Sequence, residues 1–380
     1  MRGLLVAVVS ALALIPVALA DDTDRWTYGA DLRSGLFASE REARDGEKQR
    51  ATRAEARLRA WLQNDFADGW RFRTRLAGRV STEGNDFGLK LDRYRASPTG
   101  TNAGEVHVDE FYLARVFAGA GHQWRLGRFQ TAINLPIVPG KSLDRNDSSN
   151  VGIGWTDGIH WQARISDTWT SHLIGQLNHR RGAGNTVRPP LDFSQSGSRL
   201  GGHFALEATE HPGPLVMRVF SVNWIPDALA VDGRTGDIRA DYVTATAKTA
   251  AAWPIGSRGM RLLVAGELGQ SFNRPRPGAL SLSGEGRVSG NAYQLSANLL
   301  DIVPGHHLGA VYGRAGAGWL TSNDYRNNDE LFEVRYQRRF TPDLSLEIRY
   351  RWRRELEPRI GAGRLQVDED VYARFTWRIR

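Results

Sequence analysis

Residues 53–80 read RAEARLRAWLQNDFADGWRFRTRLAGRV, and this stretch decides the fold. Apolar or small residues alternate with mostly charged ones from Arg53 to Leu62 and again from Trp70 to Val80, with turn-forming residues between them. Alternation with a period of two predicts two β-strands joined as a hairpin. One face of this hairpin carries seven arginines, which are Arg53, Arg57, Arg59, Arg71, Arg73, Arg75 and Arg79.

Two classes of protein place an apolar strand face opposite a basic one. In a soluble β-sandwich, the apolar face packs against a core and the polar face meets water. In a membrane β-barrel, the apolar face meets lipid and the polar face lines the interior. The hairpin alone fits both classes, so the rest of the chain has to distinguish them.

The first twenty residues predict export. A short basic start at Arg2 is followed by an almost wholly apolar run over residues 4–19, and Ala20 precedes Asp21. This order predicts a signal peptide at residues 1–20, cleaved after Ala20, and a mature domain at 21–380. An uncleaved anchor helix is the alternative. Beyond residue 20 no apolar run is long enough to span a bilayer, which excludes a helical inner-membrane protein.

Composition narrows the chemistry. The chain contains no cysteine, which excludes disulfides, thiol catalysis and cysteine-ligated metal. The net charge is +8, and 46 of the 50 basic residues are arginine. A positive sum alone fits nucleic acid, anionic lipid or anionic solute equally well, so the positions of the arginines matter more than their number. Export disfavours nucleic acid as a partner.

Short turns and longer loops alternate along the whole chain, as they do in outer-membrane barrels. The first strand is predicted from Arg25 to Phe37, and counting onward gives about sixteen strands, with eighteen as the alternative. We therefore predict an all-β fold: a transmembrane antiparallel up-and-down β-barrel with short periplasmic turns and long extracellular loops. Aromatic residues such as Trp61, Trp253 and Trp377 gather near the short turns, as a membrane-interface girdle would; core tryptophans of a soluble sandwich are the alternative.

Closing such a barrel brings the last strand beside the first, so the arginine faces join into one basic wall. Only Glu55, Glu333 and Glu347 are expected as carboxylate partners on that wall, which leaves a positive potential of the kind that marks anion pathways. The alternative is a plugged interior filled by arginine–glutamate pairs. The predicted pore-lining residues are Arg53, Arg57, Arg59, Arg71, Arg73, Arg75, Arg79, Arg335, Arg349, Arg351, Arg374 and Arg378.

The third long loop, from Thr131 to about Asp157, is the predicted constriction. It carries Asp144, Arg145 and Asp147. If the loop folds inward, we expect the two aspartates to face the arginine wall and to set a transverse field across a narrow opening. A solvated surface loop is the alternative.

Several phrases resemble a known group of proteins. These are VDEFYL at residues 108–113, LGR at 126–128 and YQRRFTPDLSL at 336–346. Together with the strand count and the arginine ladder, they resemble Gram-negative outer-membrane porins, especially the alginate-export-like and substrate-specific families. The resemblance implies passive diffusion of solutes, no cofactor and often a trimer.

The predicted function is an outer-membrane porin for small anionic solutes. An alginate-like anionic polysaccharide export channel is the first alternative, and a barrel enzyme or adhesin is the second. We predict no enzymatic activity, catalytic residues, cofactor or metal site, because no nucleophile-and-base set or metal-ligand spacing recurs. The predicted partners are outer-membrane lipid, lipopolysaccharide, the barrel-assembly machinery, small anionic solutes and further copies of the chain in a homotrimer.

Overall fold

The computed structural model describes residues 25–82, 94–97, 100–103, 106–117, 119, 121–147, 153–177, 191, 200–209, 211, 213–230, 239–256 and 259–379. The predicted signal peptide, residues 1–20, lies outside these ranges. The described strands are β1 Arg25–Glu42, β2 Lys48–Phe66, β3 Trp70–Ser81, β4 Tyr94–Ser97, β5 Gly100–Ala103, β6 Val106–Phe117, β7 His122–Phe129, β8 Ile153–Arg164, β9 Trp169–Leu177, β10 Leu200–Ala208, β11 Leu215–Ala230, β12 Arg239–Pro254, β13 Arg261–Ser271, β14 Asn291–Leu300, β15 His306–Ala315, β16 Asp329–Arg339, β17 Leu344–Glu355 and β18 Val367–Ile379. One-turn 3-10 helices cover Ala67–Gly69 and Pro277–Leu280. In the part of the chain that the structure describes, no helix has the length and apolar composition needed to cross a membrane.

Sixteen of these strands form one closed antiparallel barrel. β1 pairs with β2 on one side and with β18 on the other, and the remaining barrel strands follow in chain order. β4 and β5 form a separate hairpin, inserted between β3 and β6, whose second strand pairs with β8. Closure leaves no open edge among the sixteen described barrel strands, because the β1–β18 ladder runs from Ala30 opposite Ile379 to Glu42 opposite Val367. The sixteen-strand all-β barrel is therefore confirmed.

The first hairpin is longer than predicted. β1 continues past Phe37 to Glu42, so the predicted end of this strand is wrong. Opposite charges explain the extension: Arg50 lies 2.7 Å from Glu40 across the β1–β2 ladder, and Lys48 lies 3.5 Å from the same carboxylate. Cross-strand pairs of this kind stabilise a sheet. The connection between β1 and β2 is consequently only residues 43–47.

The outer face of the barrel is apolar. Leu36, Leu76 and Phe111 are 64%, 51% and 57% exposed, whereas Arg57 and Arg59, on the opposite strand face, are buried. Further exposed side chains on this surface are Leu126, Ile159, Leu173, Phe204, Phe220, Leu268, Leu295, Ile348, Val371 and Phe375. An apolar surface that encircles a barrel requires an apolar surrounding phase, as in a membrane barrel.

The two ends of the barrel differ. We call the end with the β2–β3, β6–β7 and β16–β17 turns the turn end, and the opposite end the loop end. Trp253, Phe340 and Trp377 are exposed at the turn end, as a membrane-interface girdle requires. Trp61 is an exception, because it lies on the inner face with the Arg73 guanidinium 4.6 Å from its ring centre.

The β2–β3 turn shows how local sequence fixes the hairpin. Asp68 and Gly69 both have positive φ angles, of 62° and 77°. A side chain on Gly69 would also place its Cβ 2.3 Å from the Val116 carbonyl oxygen. The Asp-Gly pair satisfies both demands, since aspartate tolerates the left-handed region and glycine has no Cβ.

Candidate channel interior

The third long loop folds into the barrel. We call its described part, residues 130–147, the inner loop; residues 148–152 lie outside the described residues. Ile133, Leu135 and Ile137 are buried in an apolar cluster with the inward side chains Met217 and Leu263. Burial of this apolar surface stabilises the docked position, so the loop occupies the interior and does not lie on the surface.

A buried lysine on β12 anchors the centre of the inner loop. The Lys248 ammonium lies 2.8 Å from Asp144 Oδ1, 2.7 Å from Ser142 Oγ and 2.8 Å from the Ile133 carbonyl oxygen. Glu267 on β13 lies 3.2 Å from the same ammonium. Burial alone would raise the pKa of Asp144, but Lys248 holds it well below its ordinary value. The loop is therefore held by charge as well as by apolar contacts.

The far end of the inner loop is held by β8 and β9. Arg145 donates a hydrogen bond of 2.7 Å to Thr156 and a further one to Gln176. Asp147 accepts a hydrogen bond of 2.9 Å from the Thr156 hydroxyl and one of 3.0 Å from the Thr131 amide. These contacts lie on β8, on β9 and within the loop itself.

The expected orientation of the loop aspartates is wrong. Asp144 and Asp147 point toward β8, β11 and β12 and do not face the arginine wall. The physical reason is that each aspartate has a buried cationic partner away from that wall. Lys248 on β12 pairs with Asp144, and Arg145 in the loop itself pairs with Asp147. The loop side chains that line open space are the others, including Asn134, Lys141 and Asn146.

A cavity of about 570 Å³ lies between the inner loop and β16, β17, β18 and β1. We call it the turn-end chamber, because it reaches Pro342 and Asp343 in the β16–β17 turn. Among the described residues that line it, the cationic ones are Arg33, Lys141, Arg335, Arg338, Arg339, Arg349, Arg351, Arg353, Arg374 and Arg378, and the carboxylates are Asp324, Asp343 and Glu347. Positive groups therefore outnumber negative ones in the chamber lining.

A second cavity of about 480 Å³ lies toward the loop end, between β1, β2, β17 and β18. We call it the loop-end chamber. Its described lining is more nearly balanced, with Arg41, Arg50, Arg53, Arg326, Arg351 and Arg353 against Glu40, Asp368, Glu369 and Asp370. Arg351 and Arg353 line both chambers, so the two spaces lie on either side of these side chains.

We call Arg335, Arg349, Arg351 and Arg374 the chamber arginines. Each has a carboxylate partner and still reaches the turn-end chamber. Glu347 lies 2.9 Å from Arg374 and 3.4 Å from Arg335. Asp370 on β18 pairs with Arg349 and, at 2.6 Å, with Arg351. Glu333 also pairs with Arg335 and lies 4.0 Å from Arg349. The four chamber arginines therefore share three carboxylates, which fix the guanidinium groups in position.

We call Arg57, Arg59 and Arg75 the packed arginines. All three are buried, and none of them is among the described residues lining either chamber. Asp109 lies 2.9 Å from Arg59 and 2.8 Å from Arg75, and it has no exposed surface. Asp31 lies 3.1 Å from Arg57. This part of the wall is a filled ion-pair network.

A β-bulge supplies the carboxylates of that network. The β3–β6 register shifts between Arg75 and Leu76, so the consecutive residues Asp109 and Glu110 both point inward. Glu110 lies 2.6 Å from Arg73 and 3.0 Å from Arg75. Two adjacent inward acids break the alternation, and that break is the sequence signal that could have revealed them.

All but one of the remaining predicted wall residues also have carboxylate partners. Arg53 and Arg79 both pair with Glu55, Arg71 pairs with Asp65, and Arg378 lines the turn-end chamber without an ion pair to any described residue. The expectation of three carboxylate partners is therefore wrong. Asp31, Asp65, Asp109, Glu110 and Asp370 also contribute, from strands whose acids the hairpin pattern did not connect to the wall.

The opposite wall is polar but carries fewer charges. His160 lies 3.1 Å from His172, which lies 3.0 Å from Glu207, while Arg125 lies 2.6 Å from His160. His203 and Asn223 form a further pair. In the described part of the chain no group of three or more histidines and carboxylates is placed to hold a metal ion.

Comparison of the barrel with solved structures identifies its fold. It is similar to OprB of Pseudomonas putida in a high-pH structure, with a TM-score of 0.60, 11% identity and coverage of 93% of this chain and 94% of that one. It is similar to the outer-membrane channel DcaP of Acinetobacter baumannii, with a TM-score of 0.58, 10% identity and coverage of 94% and 98%. It is also similar to an anion-selective porin from Comamonas acidovorans, with a TM-score of 0.52, 12% identity and coverage of 93% of this chain and 100% of that one.

The fold is that of the Gram-negative outer-membrane porins. The porin resemblance drawn from the sequence is thus confirmed at the level of the fold, while its alginate-export part stays a prediction. No protein-family model and no curated protein matches the sequence.

Proposed function

We propose that this protein is an outer-membrane channel through which small anionic solutes diffuse passively. One observation carries the proposal: ten arginine or lysine side chains and three carboxylates line the turn-end chamber among the described residues. A surplus of one sign in a cavity with low-dielectric walls concentrates counter-ions there. Rings and ladders of arginine and lysine are the usual lining of anion pathways.

The path that we propose runs through both chambers. A solute passes from the loop-end chamber to the turn-end chamber beside Arg351 and Arg353, which line both. The inner loop narrows the passage from the opposite side with Asn134, Lys141 and Asn146. The loop aspartates point away from this passage and the loop's charged lining residue is Lys141, so selection depends on the positive wall and not on a transverse field.

The surroundings of the barrel follow from its outer face. Its apolar surface would contact lipid and the acyl chains of lipopolysaccharide in the outer membrane. Export would use residues 1–20 as the signal peptide, and the barrel-assembly machinery would insert the mature chain. Assembly as a homotrimer belongs to the same proposal, by analogy with porins.

Reversal potentials in a planar lipid bilayer test the proposed function. The purified barrel is inserted between unequal KCl solutions near 0.1 M, where the screening length is about 10 Å and the chamber field acts across the passage. We expect ohmic current steps and a reversal potential whose sign shows that chloride permeates more readily than potassium. Cation preference, or a folded protein that carries no current, would refute the proposal.

A further inference from the structure

A row of side chains crosses four neighbouring strands near the turn end. Arg339 on β16 is opposite Ser345 on β17, Ser345 is opposite Thr376 on β18, and Thr376 is opposite Arg33 on β1. All four residues line the turn-end chamber. The sequence places two small hydroxyl residues between two arginines, so the middle of the row is open and its ends are basic.

The spacing of the row suits a small ion. Adjacent strands lie about 4.8 Å apart, so the Cα atoms of Arg339 and Arg33 are separated by roughly 14 Å across three spacings. Arg339 and Arg33 thus flank the hydroxyl residues Ser345 and Thr376, one at each end of the row. A small anion above these hydroxyls would therefore meet donors from below and from both sides.

Positive charge in this part of the chamber is not fully matched. Arg339 and Arg378 form no ion pair with any described residue. One row deeper, Arg374 lies 2.9 Å from Glu347, so its charge is already shared. The hydroxyls of Ser345 and Thr376 likewise form no hydrogen bond to another described residue. The row thus combines Arg339, which has no ion pair with a described residue, with hydroxyl donors that have no described protein acceptor.

We propose that Arg339, Ser345, Thr376 and Arg33 form a binding subsite for a doubly charged tetrahedral oxyanion of the phosphate or sulfate type. This inference rests on the proposed anion channel and names the solute class that the channel holds longest. Guanidinium groups bind such oxyanions through paired N–H donors, and hydroxyls add single hydrogen bonds. A carboxylate has two oxygens in one plane and is satisfied by one guanidinium, whereas a tetrahedral dianion can use donors from the whole row.

Competition against chloride current tests the subsite. Potassium phosphate at pH 8, where the dianion dominates, is added to the channel in KCl at constant ionic strength. Sulfate is the second tetrahedral probe, and acetate is the carboxylate control. We expect phosphate and sulfate to reduce the current saturably and acetate to have at least tenfold weaker effect, because loss of charge-assisted hydrogen bonds has about that consequence.

Variants locate the site. Arg339→Gln and the double variant Ser345→Ala with Thr376→Val should each weaken phosphate inhibition about tenfold. Arg339→Lys keeps the charge without the paired donors. Its phosphate inhibition should be weaker than that of the unaltered channel and stronger than that of Arg339→Gln. Arg261→Gln is the matched control, since Arg261 is exposed on β13 at the turn end and lines neither chamber. It should leave inhibition unchanged.

The outcomes separate this inference from the proposed function. Equal inhibition by acetate and phosphate, or unchanged inhibition in both the arginine and the hydroxyl variants, overturns the subsite even when chloride preference persists. Loss of chloride preference in the unaltered channel overturns the proposed function itself. The hydroxyl variant removes no charge, so it decides the matter if Arg339→Gln inserts poorly.

Discussion

Two groups of arginines on the same barrel wall have different surroundings. The packed arginines, Arg57, Arg59 and Arg75, are enclosed with Asp31 and Asp109 and reach neither chamber. The chamber arginines on β16, β17 and β18 also pair with buried carboxylates, but their side chains border open space. Identical residues on the same inward strand face therefore divide into a set enclosed in ion pairs and a set that borders a cavity.

The difference shows that a side chain on the inward face of a strand does not necessarily line a cavity. A buried ion pair can be replaced by apolar residues at little cost, but loss of one partner leaves an uncompensated charge. A cation bordering water keeps part of its hydration and acts through its field. Substitutions among the packed arginines and their partners should therefore change the free energy of unfolding. Substitutions among the chamber arginines and their partners should change the ion selectivity of the channel.

The largest expected effect is on the packed side. Asp109→Asn removes the carboxylate shared by Arg59 and Arg75, at 2.9 and 2.8 Å, and leaves both guanidinium groups buried. We expect the free energy of unfolding in lipid vesicles to fall by about 3–5 kcal/mol. Urea titration followed by tryptophan fluorescence measures it.

Asp65→Asn is the matched control for that substitution. Asp65 and Arg71 pair at the turn end with side chains 38% and 37% exposed, so solvent screens their interaction. We expect a loss below about 1 kcal/mol. Equal losses in the two variants would show that burial does not separate the packed arginines from the others.

The next effect is on the chamber side. Arg351→Gln removes a charge from the side chains that line both chambers, while Asp370 retains its ion pair with Arg349. We expect the chloride-to-potassium permeability ratio to fall by roughly twofold to fivefold, with stability nearly unchanged. Reversal potentials in a KCl gradient give the ratio. Arg71→Gln, which removes a charge outside both chambers, should leave it unchanged.

Asp370→Asn sharpens the same comparison with the opposite sign. Asp370 partly neutralises Arg349 and Arg351, so its loss should raise the permeability ratio for chloride in the same measurement. A shift in one direction for both Arg351→Gln and Asp370→Asn would contradict a selectivity governed by chamber charge.

The outward or inward direction of each strand side chain could be predicted from the sequence, because it depends on local alternation alone. The outward positions of Leu76 and Phe375 and the inward positions of Arg57 and Arg374 all follow from the period of two. The number of barrel strands was readable for the same reason, since each hairpin has its own turn. The β4–β5 hairpin was missed because its loop lacks strong alternation.

Partners across the barrel were not readable in this way. Lys248 lies in an alanine- and threonine-rich strand, and its contact with Asp144 joins residues 104 positions apart. That contact turns the Asp144 carboxylate away from the arginine wall, contrary to the expected transverse field. Likewise, Asp370 meets Arg351 through the register of the β17–β18 hairpin, and Asp109 meets the wall through a bulge. Such pairings depend on register, which a single strand does not encode.

The smallest expected effect concerns pH at the chamber. Burial lowers the pKa of the Lys141 ammonium to about 8, although Glu333, 2.8 Å away, acts in the opposite direction. Below that pH the lysine is charged and above it neutral, whereas the arginines remain charged. Chloride preference should therefore decline slightly from pH 7 to pH 9 in reversal-potential measurements. Lys141→Arg should abolish the decline. A decline that persists in this variant would assign it to another group and show that Lys141 does not contribute to chloride preference.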